Sequence, residues 1–560
     1  MSVWMRDLVF GTLVPLLVLN ALLVFGNAWP TPWPRPEAAV SVELAFAVAG
    51  LVLVAGGRGR VPPPLVHALT GLTALWVVLR YVQVTVPALF GRPLNLYWDL
   101  PHLRAVLDMG GDGPGAKLLL PLTLGVLVML VLHRVVSACV HALARSAAAP
   151  RSRALLGGVA GAAILLWALA PWAGPTTASA FARPVAALVF DQARFLRSAL
   201  AADTGDRLAA GPHFRGDLAA LHGADVLIVF AEAYGAVTFD RPHIAAALAD
   251  ARTQLASAIT TSGRQVVSAR VESPTFGGAS WLAHAALLSG IDTRDPADHA
   301  LLLTTDRPTL VRHFATHGYR TVGWMPGLQH PWPEGRFYGF DRIADADHAG
   351  YAGLPFGFWR IPDQASMARI HVDELGGHFG ETAPAQRSAG AGTPAFRQSR
   401  LVVFPTVTTH APFAAIPPLR EDWTTLLRAD AFSREEVDAA EAQPVSWTEP
   451  LRAYLTSMRY QFGWLADYLA HHATQDLVLI VIGDHQPIGT VSGPDQPHDV
   501  PVHVIASDPV LLARLQATGF VAGLTPPHQA LGPMHALTQV FADSFSGPPG
   551  NTPRPVDGPG

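Results

Sequence analysis

Cysteine and lysine are almost missing from this 560-residue chain. Cys139 is its only cysteine, so no intramolecular disulfide forms and oxidative stapling contributes nothing to the fold. Of 39 lysines and arginines together, Lys117 is the one lysine, which restricts the chemistry available further along the chain. Charge of either sign is also scarce. Only 15% of residues are charged, against about 25% in a typical soluble domain, while half are hydrophobic and the mean hydropathy is +0.27. A disordered chain and a soluble coiled coil are both excluded by that balance. The net charge of -4, with an isoelectric point near 6.6, removes the electrostatic footprint of a nucleic-acid binder. At about 150 residues per domain the length would allow three or four globular units. Composition argues for fewer.

The apolar excess is concentrated before residue 173. Five runs approach the roughly 20 residues needed to cross a bilayer: Leu8 to Trp29, Ala38 to Gly56, Leu65 to Phe90, Leu118 to Leu143 and Leu155 to Trp172. Arg6 precedes the first, as in a signal peptide, but the core is too long and no cleavage site follows, so it reads as an anchor. Arg6, Arg58, Arg60, Arg134, Arg145, Arg151 and Arg153 fall on one side of these spans. The other side mixes Arg35, Arg92, Arg104 and Lys117 with Glu37, Asp99, Asp108 and Asp112. The arginine-rich side is therefore expected to be cytoplasmic, placing everything after Trp172 outside a multi-pass cytoplasmic (inner) membrane domain, residues 1–173. Glu43 and Arg80, inside the runs, are expected to be paired within the bundle. Residues 174–223 read as a linker carrying an amphipathic, surface-lying helix over Pro184 to Leu200.

From Ala224 the pattern becomes that of an α/β domain, expected over 224–545, with a Pro- and Gly-rich flexible tail over 546–560. Asp225 to Phe230, Leu401 to Phe404, Leu477 to Ile482 and Val502 to Ala506 are uninterrupted apolar runs of strand length. Such strands are buried on both faces, which predicts a mainly parallel central sheet covered by helices. Ligands bind such sheets beyond the carboxyl ends of the strands. Glu232, His410, and Asp484 with His485 all follow these runs closely. Two carboxylates and an imidazole make an O/N ligand set for a divalent cation. In Ser273-Pro-Thr-Phe-Gly-Gly-Ala-Ser280, a glycine-rich turn enters a helix-forming run, which places Ser280 at the N-cap. There its hydroxyl either caps the helix or, beside backbone N–H groups, serves an anionic phosphate.

Together these segments resemble the alkaline-phosphatase-like/sulfatase superfamily, in particular its membrane-bound lipoteichoic-acid synthases and phosphoethanolamine transferases. The matching motifs are Val226 to Glu232, the segment ending Leu287-Leu-Ser-Gly290, His410-Ala-Pro412, Gly483-Asp484-His485 and His498-Asp-Val-Pro501. In that family the nucleophile lies nine residues before the Ser/Thr of the Leu-Leu-Ser/Thr-Gly segment, which is Ser280 here. The resemblance implies that Glu232, Ser280, Asp484 and His485 bind a catalytic metal, zinc or manganese, with magnesium as a further option. It implies that His410 and His498 hold substrate phosphate or a second metal. Trp332 and Arg336 match a head-group pocket.

This chain departs from the family in three ways. The transferases usually carry threonine as nucleophile, so Thr275 and Ser273 compete with Ser280. Formylglycine sulfatases need Pro or Ala and then Arg at positions occupied here by Leu282 and His284, and they place lysines around sulfate, which this domain lacks. Transferases acting on lipid A carry several disulfides, which one cysteine cannot supply. What the resemblance implies is transfer of a phospholipid head group, of phosphoglycerol or phosphoethanolamine type, through a phospho-serine. The donor is a membrane phospholipid, and the acceptor an envelope glycan or lipid on the extracytoplasmic (periplasmic) side; no nucleic acid is involved. Alternatives are a phosphodiesterase, phosphatase or sulfatase-like hydrolase of the same fold, or a non-catalytic membrane-anchored binder.

Overall fold

The computed structural model describes residues 8–28, 31–90, 116–173, 180–200, 208, 211–329, 332–379, 398–474 and 476–547. Trp29, closing the first apolar run, and 548–560 of the expected tail lie outside them. The chain divides into two compact units, Met1–Leu200 and Ala201–Gly560.

Each of the five apolar runs of the first unit contains a helix. A π-helical turn, Val9–Leu13, leads into α1 (Val14–Val24), followed by α2 (Val42–Arg58), α3 (Pro63–Phe90), α4 (Ala116–Ala148) and α5 (Pro150–Ala173). Among the described residues, Pro63–Ala88, Thr123–Ala148 and Pro150–Ala170 are long and apolar enough to cross a membrane, and Val9–Val24 is a shorter apolar helix. Leu19, Leu23, Val48, Leu51, Val140 and Leu143 pack together inside the unit. On α4, by contrast, Leu124, Leu127 and Leu130 are 58%, 56% and 58% exposed. A continuous apolar surface of that kind belongs against lipid or another protein, not water.

Arg80 and Glu43 both have partners, though not each other. The Arg80 Nε donates to the Phe25 carbonyl at 2.9 Å, and its guanidinium lies 3.8 Å from Glu37. Glu43 Oε1 accepts the Val185 N–H at 2.6 Å, at the start of α6 (Val185–Leu200), the helix expected from the amphipathic segment.

The second unit is built on an eight-stranded sheet. Its strands are β1 (Asp225–Ala231), β2 (Gln265–Glu272), β3 (Arg320–Trp324), β4 (Arg342–Ala344), β5 (Arg400–Pro405), β6 (Leu477–Gly483), β7 (Asp499–Ala506) and β8 (Val521–Ala522). Their order across the sheet is β8-β2-β7-β6-β1-β5-β3-β4. The neighbouring strands β6, β1, β5, β3 and β4 run parallel, whereas β7 is antiparallel to both β6 and β2. Every residue of β1 and β6 is buried, as continuous apolar runs require of a sheet covered on both faces.

Alternation along β1 divides the core. Val226, Ile228 and Phe230 pack with Ala283 and Leu287 of α7 (Ser280–Ser289) and with Phe541 and Phe545 near the carboxyl end of the chain. On β5, Phe404 meets the Trp464 ring of α9 (Leu451–His471) at 6.2 Å. Between α7 and α9 in the chain lies α8 (Asp363–Asp373).

This topology gathers chemistry at one edge. Glu232 directly follows β1, Ser273 follows β2, Thr406 follows β5 and Asp484 follows β6. Because β7 runs the opposite way, His498, just before its first residue, reaches the same edge.

Candidate active site

Ser280 is the first residue of α7 rather than its cap. Ala279, at φ 60°, precedes it and makes no side-chain cap. The turn Gly277-Gly278-Ala279 has positive φ throughout (64°, 142° and 60°), which swings the Ser280 side chain away from the helix N–H groups. Its hydroxyl donates to Glu232 Oε2 at 2.8 Å and lies 3.1 Å from His485 Nε2. The capping alternative is thereby overturned. The competing hydroxyls face elsewhere: Thr275 Oγ1 donates to the Gly278 carbonyl at 2.6 Å, and Ser273 Oγ to the Asp484 carbonyl.

Glu232, Asp484 and His485 are buried, with one ligand atom from each lying within 4.8 Å of the others. Backbone contacts set their orientation. Asp484 Oδ1 accepts the N–H groups of Ala233 at 2.9 Å and His485 at 2.7 Å, while its Oδ2 is buried with no hydrogen-bond partner, 3.8 Å from His485 Nε2. His485 Nδ1 donates to the Gln486 carbonyl at 2.7 Å, which turns Nε2 toward Ser280 and Glu232. The same carbonyl accepts the Gly277 N–H at 3.0 Å, joining the end of β6 to the nucleophile turn. Gly483 makes this approach feasible, since a Cβ there would stand 1.9 Å from the Tyr234 carbonyl oxygen.

The electrostatics describe a site that demands positive charge. Burial by itself raises the Glu232 carboxyl, but the His485 and His410 imidazoles outweigh it and hold the group below its ordinary range. Burial and the neighbouring Glu232 charge push Asp484 well above its own. Burial opposes charge on His485, yet Asp484 and Glu232 overcome it and raise the imidazole to about 9. A proton on His485 thus supplies the charge that a divalent cation would supply instead. The orphaned Asp484 Oδ2, the inward Nε2 and the O/N donor set fit such an ion.

His410 sits close enough to affect Glu232; its Nδ1 is 2.6 Å from the Ala411 carbonyl and its ring 4.6 Å from that of Trp359. His498 is half-buried with its ring 5.4 Å from Phe276, and its carbonyl accepts the Ser273 N–H at 3.1 Å. Trp332 packs on Tyr338 at 5.4 Å, and Arg336 is exposed. Among the described residues, no hydrogen bond or ring contact ties either one to the Ser280 cluster.

Several supporting groups were missed from the sequence. Thr406 Oγ1 accepts the Glu232 N–H at 3.0 Å, and Thr409 Oγ1 donates to the Glu232 carbonyl at 2.6 Å. Asp363, fully buried at the start of α8, accepts the N–H groups of Val407 at 2.8 Å and Thr408 at 2.9 Å, fixing the loop that carries His410. Gln486 braces the β6 side, accepting from Val237 at 3.2 Å and donating to the Pro497 carbonyl at 3.1 Å. His284, one turn beyond Ser280, packs its ring 4.3 Å from Phe230, and burial lowers it to about 4, so it is neutral. Only the Thr-Val-Thr-Thr-His410 string hinted at any of these, through its density of hydroxyls after a strand.

No family model matches the chain, and no curated protein matches it. Solved structures do. The chain is similar to the lipoteichoic acid synthase LtaP from Listeria monocytogenes at 13% identity and a TM-score of 0.30, over 50% of this chain and 65% of that one, just under two thirds of its length. It is similar to a protein in the alkaline phosphatase superfamily from Vibrio parahaemolyticus (15% identity, TM-score 0.31, 62% and 77% covered). It is also similar to the C-terminal periplasmic domain of EcEptC from Escherichia coli (10% identity, TM-score 0.30, 54% and 74% covered). Likeness at this level assigns no substrate. What points to chemistry is the arrangement around Ser280.

Proposed function

We propose that this chain is a membrane-bound, metal-dependent phosphotransferase of the alkaline-phosphatase-like superfamily, moving a phospholipid head group to an envelope glycan or lipid through a phospho-serine on Ser280. One observation carries the reading: the Ser280 hydroxyl lies within hydrogen-bond reach of both Glu232 and His485, inside a buried donor cluster with an unpartnered carboxylate oxygen. A merely structural serine at a helix start has no reason to face away from that helix.

Glu232, Ser280, Asp484 and His485 would hold the ion. When bound, it supplies Lewis-acid stabilisation of negative charge on oxygen. The rest falls to the side chains. Ser280 Oγ gives up its proton along the hydrogen bond that now runs to Glu232 and forms a bond to phosphorus, while the bond from phosphorus to the diacylglycerol oxygen breaks. His410 or His498 delivers a proton to the departing oxygen. An acceptor hydroxyl then attacks phosphorus, giving its proton to the imidazole that lost one, while the P–Oγ bond breaks and Ser280 Oγ takes back the proton held by Glu232. Phosphoryl rather than sulfuryl chemistry is favoured by the absence of lysine from the second unit and by Leu282 and His284 in the helix.

In this reading residues 1–173 form five crossings with the carboxyl-terminal unit outside the cytoplasmic membrane, 224–545 is the catalytic domain, and Trp332 with Arg336 contributes to head-group recognition. Purified protein incubated with fluorescent phosphatidylglycerol or phosphatidylethanolamine is expected to release diacylglycerol, with the phosphoglycerol or phosphoethanolamine group trapped on the Ser280 peptide in mass spectrometry. No release from either donor by folded, metal-loaded protein would sink the transferase reading. The same adduct on Thr275 would refute the assignment of the nucleophile. Release of the head group to water alone would favour a hydrolase.

A further inference from the structure

We infer that α6 lies in the lipid–water interface, with its outer side immersed at the headgroup and upper acyl level of an anionic bilayer. This rests on the reading of the first unit as membrane-spanning.

The depth comes from hydrogen bonds to a span. Arg80 Nη1 donates to the Arg183 carbonyl and Gln83 Nε2 to the Pro184 carbonyl, each at 3.3 Å, at the residues that lead into α6. Both donors belong to the apolar helix Pro63–Ala88. Since about 20 residues cross the hydrocarbon core, counting from Pro63 brings its far boundary to the level of Arg80 to Gln83. The remaining turn emerges among headgroups at ~1.5 Å per residue. The start of α6 is thus pinned at that boundary. Its first N–H groups, which water would otherwise satisfy, are taken by Glu43 Oε1, from Val185 at 2.6 Å and Ala186 at 3.4 Å.

Aromatic residues mark the same level. Tyr81 donates its hydroxyl to the Pro32 carbonyl at 3.0 Å, and the adjacent Trp33 is 70% exposed. Exposed tryptophan and tyrosine at a span end are the residues that settle among headgroups.

The two sides of α6 then divide as an interfacial helix requires. Val185 is buried and Leu188 half-buried on the inner side. Outward lie Ala186, Val189, Phe190 and Ala193, with Val189 42% and Phe190 75% exposed, followed by exposed Arg194 and Arg197. An apolar strip flanked by arginine, held at the boundary, matches a helix lying in the plane of a membrane whose phosphates carry negative charge.

The lone cysteine makes the test direct. In a Cys139→Ser background, single cysteines at Val189 and Phe190 are spin-labelled in the full chain, in nanodiscs containing phosphatidylglycerol. Leu127→Cys on α4 serves as the lipid reference and the exposed Asp495→Cys as the water reference. Labels at Val189 and Phe190 are expected to be oxygen-accessible and shielded several-fold from a water-soluble nickel chelate relative to Asp495. Nickel access equal to that at Asp495, with Leu127 still shielded, overturns the inference and leaves the membrane reading standing. Nickel access at Leu127 as well sinks that membrane reading itself. Labels closed to both reagents mean that protein, such as a second copy, covers this side, which also overturns the inference. Arg194→Gln with Arg197→Gln is expected to raise nickel access in anionic discs; no change would refute the anionic preference.

Discussion

Leu127 and Leu227 are the same residue in two solvents. The first, on α4, is 56% exposed, and the second, on β1, is fully buried. Both units draw on long apolar runs, but the first turns many of its leucines outward around a modest interior, whereas the second uses alternation along strands to fill two cores. The lesson is that apolar content alone does not say where a residue goes. Period and run length do: helical runs of about 20 residues meet lipid, and strand-length runs meet covering helices. A further contrast is polar. The first unit satisfies Arg80 and Glu43 with backbone groups of the same unit, whereas the second gathers Glu232, Asp484 and His485 into one cluster whose Asp484 Oδ2 has no partner. Polar groups in the first unit hold elements in place, and those in the second carry a site.

The sharpest break in that comparison lies at the site. Ser280→Ala is expected to lower turnover by about 10³-fold or more and to abolish trapping of the head-group adduct, while Thr275→Ala leaves trapping intact. Residual trapping in the serine variant would move the nucleophile elsewhere. Next, Asp484→Asn removes the carboxylate whose Oδ2 awaits a cation, so elemental analysis after gel filtration should find the metal depleted although the circular dichroism is native. Full metal content in that variant would disconnect the cluster from the ion.

The leucine pair tests the solvents themselves. Leu227→Ala is expected to cost about 2–5 kcal/mol through lost burial and a cavity, read by thermal unfolding of the full chain in detergent. Leu127→Ala should cost far less, because its side chain trades one apolar solvent for another. Equal costs would show that protein covers that face of α4.

Effects of comparable size are expected at Asp363. Asp363→Ala leaves the Val407 and Thr408 N–H groups without an acceptor, at about 1–3 kcal/mol for each buried donor left unmade. Burial pushes this carboxyl up to about 6. A raised folded-state value means that the native form prefers the proton, so the group's stabilising contribution is complete below about 4 and is lost as pH rises through 6. Wild type should therefore lose on the order of 3 kcal/mol over that window relative to Asp363→Asn. Parallel pH profiles for the two proteins would show that Asp363 does not titrate there.

How far the site could be read in advance depended on distance along the chain. Glu232, Asp484 and His485 stood out because each directly follows a continuous apolar run, and parallel strands bring their carboxyl ends to one edge. Asp363 carried no such signal. It precedes no strand and faces a loop some forty residues later, a meeting decided by how the start of α8 comes up to the loop after β5. Thr406, Thr409 and Gln486 act through main-chain atoms of distant segments, which composition cannot register. Trp332 and Arg336, selected by motif, pack on Tyr338 and lie exposed without a contact to the Ser280 cluster among the described residues.

The amino-acid sequence by itself determined the two kinds of unit, the direction of the central strands and the edge where polar residues collect, because these follow from run length, period and the hand of chain connections. It also set limits: no disulfide, and no lysine in the second unit. Only the tertiary structure decided which of three hydroxyls faces the carboxylates, since left-handed backbone at Gly277, Gly278 and Ala279 turns Ser280 inward while Thr275 and Ser273 are spent on carbonyls. Nothing in a linear pattern specifies such a choice, because Glu232 and His485, the two partners of the Ser280 hydroxyl, follow strands more than two hundred residues apart and meet only when the sheet has formed.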